Sequence, residues 1–284
     1  MIDKKNVYKI YYLFLFSHLF LWTAIPYLSN VNLPLDTIEA LAWGSNLDWG
    51  YSKHPPLSAF FVEVFHMMFG SRDWAYYLLS QLFVLIAFII IFKLSIEMLE
   101  NNVLALISIF LLEGIYFYNF TTPEFNVNIS QLPFWAASLY FSWKAINFNR
   151  TSDFIFLGFF LGLGVLSKYL FLYLVLGVYL LFFFFLLKFK KIDFFNILLS
   201  GFVFLAVLTP HLFWLIENNF STIFYGFKRT GGVGNLSDHL IYPLTFFFKQ
   251  LVILLPFFIM GIFLIRKFNY KINLRDKKII FLNL

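Results

Sequence analysis

Long apolar runs separated by short polar connections dominate the pattern along this 284-residue chain. Eight runs extend over about residues 8–28, 74–94, 103–121, 128–146, 154–167, 170–187, 194–215 and 241–265. Most of them come close to the roughly 20 residues that an α-helix needs to cross the hydrocarbon of a bilayer. The pattern therefore predicts an all-α fold, a polytopic transmembrane helical bundle of about eight spans.

A ninth apolar run begins at Ile279 and ends after IIFLNL, far short of a span. We interpret it as the start of a ninth span in a chain that is truncated at its C-terminus. Residues 1–284 are therefore expected to form a single transmembrane domain, incomplete at the C-terminus, with a long polar loop at residues 30–73 inside it.

Composition excludes a soluble domain. Hydrophobic residues make up 61% of the chain and charged residues 13%, and the mean hydropathy is +0.80. A net charge of +6 is typical of basic loops that face the cytoplasm in such a chain, so we expect membrane lipids and no nucleic acid as partners. The chain has no cysteine, which excludes structural disulfides and thiol chemistry.

The distribution of basic residues predicts the orientation in the membrane. Most of the 21 Lys and Arg residues fall in one set of connections, which includes residues 4–9, 144–150, 188–191 and 266–278. The positive-inside rule places this set and the N-terminus in the cytoplasm, and the loop at residues 30–73 outside. Most of the candidate chemistry is then also outside, which favours a protein that works at its outer face.

The outer loop contains two segments that suit short helices lying along the membrane interface. LDTIEALAWG, which follows Pro34, suits a helix with Asp36 as its N-cap. At helical spacing Asp36, Glu39 and Trp43 share one face. PPLSAFFVEVFHMMFG suits a second helix with Pro55 in its first turn and Gly70 at its end.

Each polar residue in this loop has a structural and a functional interpretation. Asp36 is either only a helix cap or a general base, which needs a carboxylate oxygen within hydrogen-bond reach of a hydroxyl. Lys53 and His54, in DWGYSKHPP, are either solvated interfacial residues or a cationic pair that binds a phosphate at headgroup depth.

His18 and Glu113 are ionisable residues in the interior of predicted spans, where such groups usually face the bundle interior or a water-filled cavity. His18 is expected to be a buried histidine with satisfied hydrogen bonds. For Glu113 the sequence leaves a structural hydrogen bond and a place near a lipid phosphate equally open.

Four segments in order resemble the polytopic glycosyltransferases of the GT-C class. After Asp36 in the first outer loop come GYSKHPPLSA (50–59), TTPEFNVNISQLPFWAASLY (121–140), GLGVLSKYLFLYLVLGVYL (162–180) and TPHLFWLIENNFSTIFYGFKRTGG (209–232). The chain is most similar to the bacterial glycosyltransferase families 39 and 83, which include the aminoarabinose transferase of lipid A and resemble protein mannosyltransferases. One departure is that Thr37 follows Asp36, where many relatives have a Glu.

The resemblance implies an inverting glycosyltransferase that moves a sugar from a polyprenyl-phosphate donor to an envelope acceptor, which is lipid A, another glycolipid or a protein. It implies a bacterial inner-membrane enzyme whose site faces the periplasm. It gives the catalytic position to Asp36, with Glu39 as the next acid. The residues it suggests for substrate binding are Lys53, His54, Glu124, Lys168, Tyr169 and Arg229.

The sequence leaves other interpretations open. A divalent cation is one: His54 with Glu39 or Glu124 could ligate it, but the spacing does not identify a metal site. A transporter or lipid flippase of the same topology is a rival, although its polar residues should lie near the midplane in broken helices. A non-catalytic truncated remnant is the third interpretation.

Overall fold

The computed structural model describes residues 3–230, 235–265 and 276–283, and this part of the chain is helical without a strand. The helices are α1 (Lys4–Ser29), α2 (Leu35–Gly44), α3 (Leu57–Phe69), α4 (Asp73–Leu99), α5 (Asn102–Glu113), α6 (Val127–Ser130), α7 (Leu132–Phe148), α8 (Thr151–Ser167), α9 (Leu172–Phe189), α10 (Phe194–Glu217), α11 (Ser221–Thr230), α12 (Asp238–Ile253), α13 (Leu255–Ile265) and α14 (Lys277–Asn283). Short 3₁₀ turns at Tyr116–Tyr118 and Tyr169–Phe171 complete the helical elements.

The described residues contain four helices that are long and apolar enough to cross a membrane: α1, α4, α10, and α9 together with the 3₁₀ turn before it. The pair α12 and α13, bent by 44°, gives a fifth if it counts as one span. This confirms a multi-pass helical membrane protein. The predicted count of eight is not confirmed, because the runs at 103–121, 128–146 and 154–167 carry helices of only 12, 17 and 17 residues.

Helix α4 lies at the centre of one half of the bundle, where it packs against α1, α5 and α7, and α8 packs between α7 and α10. Close approach of α8 to α10 depends on glycine. A Cβ at Gly158 would lie 2.3 Å from the Ser200 carbonyl oxygen, and one at Gly162 would lie 2.7 Å from Val207. Small residues that let helix backbones approach closely are the usual basis of packing in lipid.

One group of polar residues within the spans is satisfied by mutual hydrogen bonds. His18, 3% exposed, donates from Nε2 to Gln81 Oε1 at 3.1 Å, and its Nδ1 lies 2.9 Å from Glu113 Oε2. Trp22 Nε1 donates to the other carboxylate oxygen of Glu113 at 3.2 Å. His18 is therefore the satisfied buried histidine that we expected, and the described contacts of Glu113 are structural hydrogen bonds.

The helix starts in the outer loop differ from the predicted ones. Pro34, not Asp36, is the N-cap of α2, and its carbonyl accepts from the amides of Thr37 and Ile38, each at 3.1 Å. Asp36 therefore lies in the first turn, and its side chain makes no capping bond. The predicted capping role of Asp36 is wrong.

Helix α3 begins at Leu57 with Pro56 as N-cap, so Pro55 lies outside the helix. Pro55 directly precedes Pro56, and a residue before a proline disfavours the helical conformation. Pro55 therefore stays out of the first turn. The predicted end is confirmed: Gly70 terminates the helix with a φ of +65°, a conformation that suits glycine.

Candidate functional site

One face of α2 lines a narrow cleft, with room for about one water molecule, at the end of the bundle where the outer loop lies. Asp36, Glu39 and Trp43 contribute to it, as their shared helical face predicted. The remaining lining residues come from α2, from the outer loop with the start of α3, and from the segment before α7: Ala40, His54, Ser58, Asn126 and Val127.

Asp36 is exposed to the cleft and is held by the segment that precedes α6. Its backbone amide donates to Glu124 Oε1 at 3.1 Å, and Asn126 Nδ2 donates to its carboxylate oxygen Oδ2 at 3.3 Å. The next residue, Thr37, donates from Oγ1 to the carbonyl of Phe125 at 3.2 Å. Three contacts thus join the first turn of α2 to residues 124–126, and only one of them uses the Asp36 carboxylate.

Glu39 and Lys53 form an ion pair through Oε1 and Nζ at the edge of the cleft. Their side chains are 28% and 40% exposed, respectively. The hydrogen bond and the charge of Glu39 raise the pKa of Lys53. The pair places both predicted residues at the site and directs the Lys53 ammonium towards Glu39.

His54 lines the cleft and is affected by charges of both signs. Its ring meets Trp43 edge to face, with centroids 5.7 Å apart. Burial lowers the pKa of His54 below its usual value; the carboxylates of Glu39 and Asp36 oppose this shift, and two cations add to it. Those cations are Lys168 and Arg229. The fields of two acids and two bases therefore converge on one imidazole.

Lys168 and Arg229 reach this region from distant parts of the sequence. Lys168 lies in the tight turn between α8 and α9 and donates to Asn128 Oδ1. Burial, and after it the positive charge of Arg229, lowers the pKa of Lys168. Arg229 is exposed in the last turn of α11 and donates to the Tyr225 hydroxyl at 3.5 Å. Two neighbouring cations form a region of positive potential that favours an anion.

Tyr169 supports the outer loop and does not line the cleft. Its hydroxyl is 2.7 Å from His211 Nε2, and His211 Nδ1 donates to the Trp49 carbonyl at 2.5 Å. A neutral His211 that donates from Nδ1 must accept at Nε2, so the Tyr169 hydroxyl donates to it. On the neighbouring helix α11, Thr222 Oγ1 donates to the Tyr51 carbonyl at 2.6 Å.

Sequence reasoning gave no role to Asn126, Asn128 or His211. Asn126 is the N-cap of α6 and accepts from the amides of Asn128 and Ile129. An Asn ahead of a short apolar segment is a cap signal that could have been recognised. Its contact with Asp36, 90 positions away, leaves no local signal in the sequence.

The described residues hold no group of three or more His, Cys, Asp or Glu side chains arranged to bind a metal ion. In the part of the chain that the structure covers, the acids and His54 are instead engaged with backbone amides, asparagine, lysine and tryptophan.

The family model for dolichyl-phosphate-mannose-protein mannosyltransferases matches residues 53–214. Searches of curated proteins and of solved structures each gave no match. The matched segment begins at Lys53 and includes His54, Glu124 and Lys168, whereas Asp36 and Glu39 precede it. It covers more than half of the chain and points to the GT-C type, to glycosyltransferase activity and to a lipid-linked sugar donor. The chain is therefore a multi-pass membrane protein that belongs to the dolichyl-phosphate-mannose-protein mannosyltransferase family.

Proposed function

We propose that the protein transfers a sugar from a polyprenyl-phosphate donor to an envelope acceptor, with inversion at the anomeric carbon. The observation that carries the proposal is the distribution of charge around His54. The carboxylate of Asp36 and the cations Lys168 and Arg229 act on the same imidazole. Asp36 and His54 also line one cleft. A displacement on a sugar phosphate uses a base for the acceptor and cations for the departing phosphate.

In the reaction, the acceptor hydroxyl oxygen attacks the anomeric carbon, and Asp36 takes the hydroxyl proton. The bond between the anomeric carbon and the phosphate oxygen breaks, and its electron pair leaves with the polyprenyl phosphate. Lys168 and Arg229 stabilise the charge that develops on this phosphate. One displacement inverts the configuration, and no nucleotide-binding loop is needed because the donor is a lipid.

Glu124, Glu39 and Lys53 then have supporting roles. Glu124 holds the backbone amide of Asp36 and so orients the first turn of α2. Glu39 keeps the Lys53 ammonium at the cleft edge, from which Lys53 can reach a donor phosphate when the ion pair opens. His54, whose pKa is lowered, is mostly neutral at neutral pH and offers one hydrogen-bond donor to a sugar or phosphate oxygen.

We place the site at the outer surface of a bacterial inner membrane, with the N-terminus in the cytoplasm and the cleft in the periplasm. The balance of basic residues supports this orientation. Residues 266–275, which contribute to that balance, lie outside the described residues. The acceptor is lipid A, another glycolipid or a protein.

Thiol labelling tests the orientation. The chain lacks cysteine, so Ser52→Cys and Ser152→Cys each introduce a single thiol at an exposed serine, one in the outer loop and one in the first turn of α8. We expect a membrane-impermeant maleimide to label only Ser52→Cys in intact cells, and both variants after permeabilisation. Labelling of Ser152→Cys alone in intact cells would reverse the orientation and place the cleft in the cytoplasm.

Glycolipid mass spectrometry tests the function in cells. Cells that carry the protein should contain an envelope lipid or protein with an added sugar, which cells that lack the gene do not contain. Restoring the wild-type gene should restore the product, and restoring Asp36→Asn should not. Identical lipid and protein glycosylation in all of these strains would contradict the proposal.

A further inference from the structure

The segment between α5 and α6 contains irregular backbone that is buried at some positions, although Tyr116 and Phe120 are exposed. Thr122 and Phe125 are fully buried and Asn119 is 6% exposed. Buried irregular backbone requires protein groups that satisfy its polar atoms. The contacts of this segment therefore determine where its far end, residues 124–126, is held.

Helix α4 binds the segment at Thr122. Ser80 Oγ donates to the Thr122 carbonyl, and Gln81 Nε2 donates to Thr122 Oγ1 at 3.0 Å. Thr122 Oγ1 in turn donates to the Asn119 carbonyl at 2.7 Å. Ser80 and Gln81 are fully buried within a membrane-spanning helix, where polar side chains are costly unless they have partners.

The network continues behind Gln81 into α1. Gln81 Oε1 accepts from His18, whose second ring nitrogen meets Glu113 at the end of α5. Asn119 Nδ2 donates to the Glu113 carbonyl at 2.7 Å. Three helices and the segment thus share one closed set of hydrogen bonds, which prevents Thr122 from sliding along α4.

The other end of the segment reaches the cleft within four residues. Glu124, Phe125 and Asn126 make the three contacts with the first turn of α2 that fix Asp36. Since so short a stretch of chain joins the two ends, a displacement of Thr122 displaces Asn126 as well.

We propose that Thr122, held by Ser80 and Gln81, is a positioning residue for Asp36. It acts through Glu124 and Asn126, which set the backbone and the carboxylate of Asp36 in the cleft. The effect on turnover rests on the proposed function, whereas the effect on the geometry of Asp36 does not.

Matched threonine variants test the effect on turnover. Thr122→Val removes only the hydroxyl, Thr122→Ser retains it, and Thr23→Val makes the same change at a buried hydroxyl without a hydrogen-bond partner among the described residues. We expect Thr122→Val to lower kcat by about 10- to 100-fold, the scale of a small misplacement of a catalytic group. The KM for the donor should change less than kcat, because Lys168 is held by Asn128, further along the chain from Thr122 than Asn126, and Arg229 lies on α11. Thr122→Ser and Thr23→Val should stay within about twofold of wild type.

Hydrogen exchange at the Asp36 amide gives a readout that needs no activity. This amide lies in the first turn of α2, where helix amides lack intrahelical acceptors, and it donates to Glu124. We expect Thr122→Val to speed its exchange about 10-fold, and Thr23→Val to leave it unchanged.

Three outcomes decide between the proposals. Unchanged exchange in Thr122→Val, or a kcat within about twofold of wild type, would overturn the positioning role. If Thr122→Val speeds the exchange but the wild-type protein transfers no sugar, the effect of Thr122 on Asp36 is supported and the proposed function is refuted.

Discussion

Asp36→Asn should lower the rate of sugar transfer by about 10²- to 10⁴-fold, the usual contribution of a general base. Asn has the same shape, and its side-chain oxygen can still accept from Asn126, which lies 3.3 Å from the carboxylate in the wild type. It cannot take a proton from the acceptor. The substitution therefore removes the proton-accepting carboxylate and retains the side-chain shape and its contact with Asn126.

Folding should be preserved in this variant. Pro34 occupies the cap of α2, so the substitution removes no capping bond. The remaining cost is the loss of a negative charge near the helix N-terminus, about 0.3–1 kcal/mol. Expression level and thermal unfolding of the purified protein should match those of wild type, and the rate of transfer is measured under saturating donor.

Glu39→Gln is the matched control for Asp36→Asn. It also replaces a carboxylate by its amide on the same face of α2, but it breaks the ion pair with Lys53. We expect a smaller loss of turnover than in Asp36→Asn. Near-normal transfer in Asp36→Asn together with a collapse in Glu39→Gln would make Glu39 the base.

Lys168→Ala should weaken binding of a polyprenyl-phosphate sugar by about 1.5–3 kcal/mol, the range for hydrogen bonds to charged groups. Lys168 is half-buried, so its charge is less screened than that of a surface lysine. A donor phosphate that replaces Asn128 as its partner would also relieve the repulsion between Lys168 and Arg229. Donor affinity is measured by titration in lipid nanodiscs.

The pH dependence of donor affinity separates Lys168 from Lys53. The pKa of Lys168 is lowered in the free protein, so its charge is lost at a lower pH than that of an ordinary lysine. Donor affinity should therefore weaken as the pH rises through that pKa, and this weakening should be absent in Lys168→Ala. The pKa of Lys53 is raised, so Lys53 stays charged over the same range.

Lys228→Ala is the control for the loss of a lysine. Lys228 is exposed on α11 beside Arg229, and its removal should change donor affinity by less than about twofold. Unchanged affinity in Lys168→Ala and in Arg229→Ala would exclude both residues from phosphate binding. Loss of affinity in Lys53→Ala alone would assign the phosphate to the outer loop.

Local patterns in the sequence predicted the parts of the site that depend on local structure. The 3.6-residue period placed Asp36, Glu39 and Trp43 on one face, and all three line the cleft. Gly70 was recognised as the end of α3, and the apolar runs at 154–167 and 170–187 flank the observed turn at Lys168. Each of these features is determined within a few residues.

Features that depend on distant contacts could not be predicted. The hydrogen bond between Asp36 and Asn126 joins residues 90 positions apart, and no pattern in a single sequence indicates it. The run at 103–121 suggests one continuous span because aliphatic and aromatic residues dominate it. In the structure α5 ends at Glu113, and the following Gly114 was a stop signal that the apolar composition concealed.

The central claim is that this cleft transfers a sugar from a polyprenyl phosphate with inversion. The most direct measurement combines purified protein in nanodiscs, a donor with an isotopically labelled sugar and an envelope extract, and determines the anomeric configuration of the labelled product by NMR. We predict consumption of the donor, release of polyprenyl phosphate and a product of inverted configuration, all lost in Asp36→Asn. A donor that remains intact with the wild-type protein, or a product that retains the donor configuration, would contradict the account.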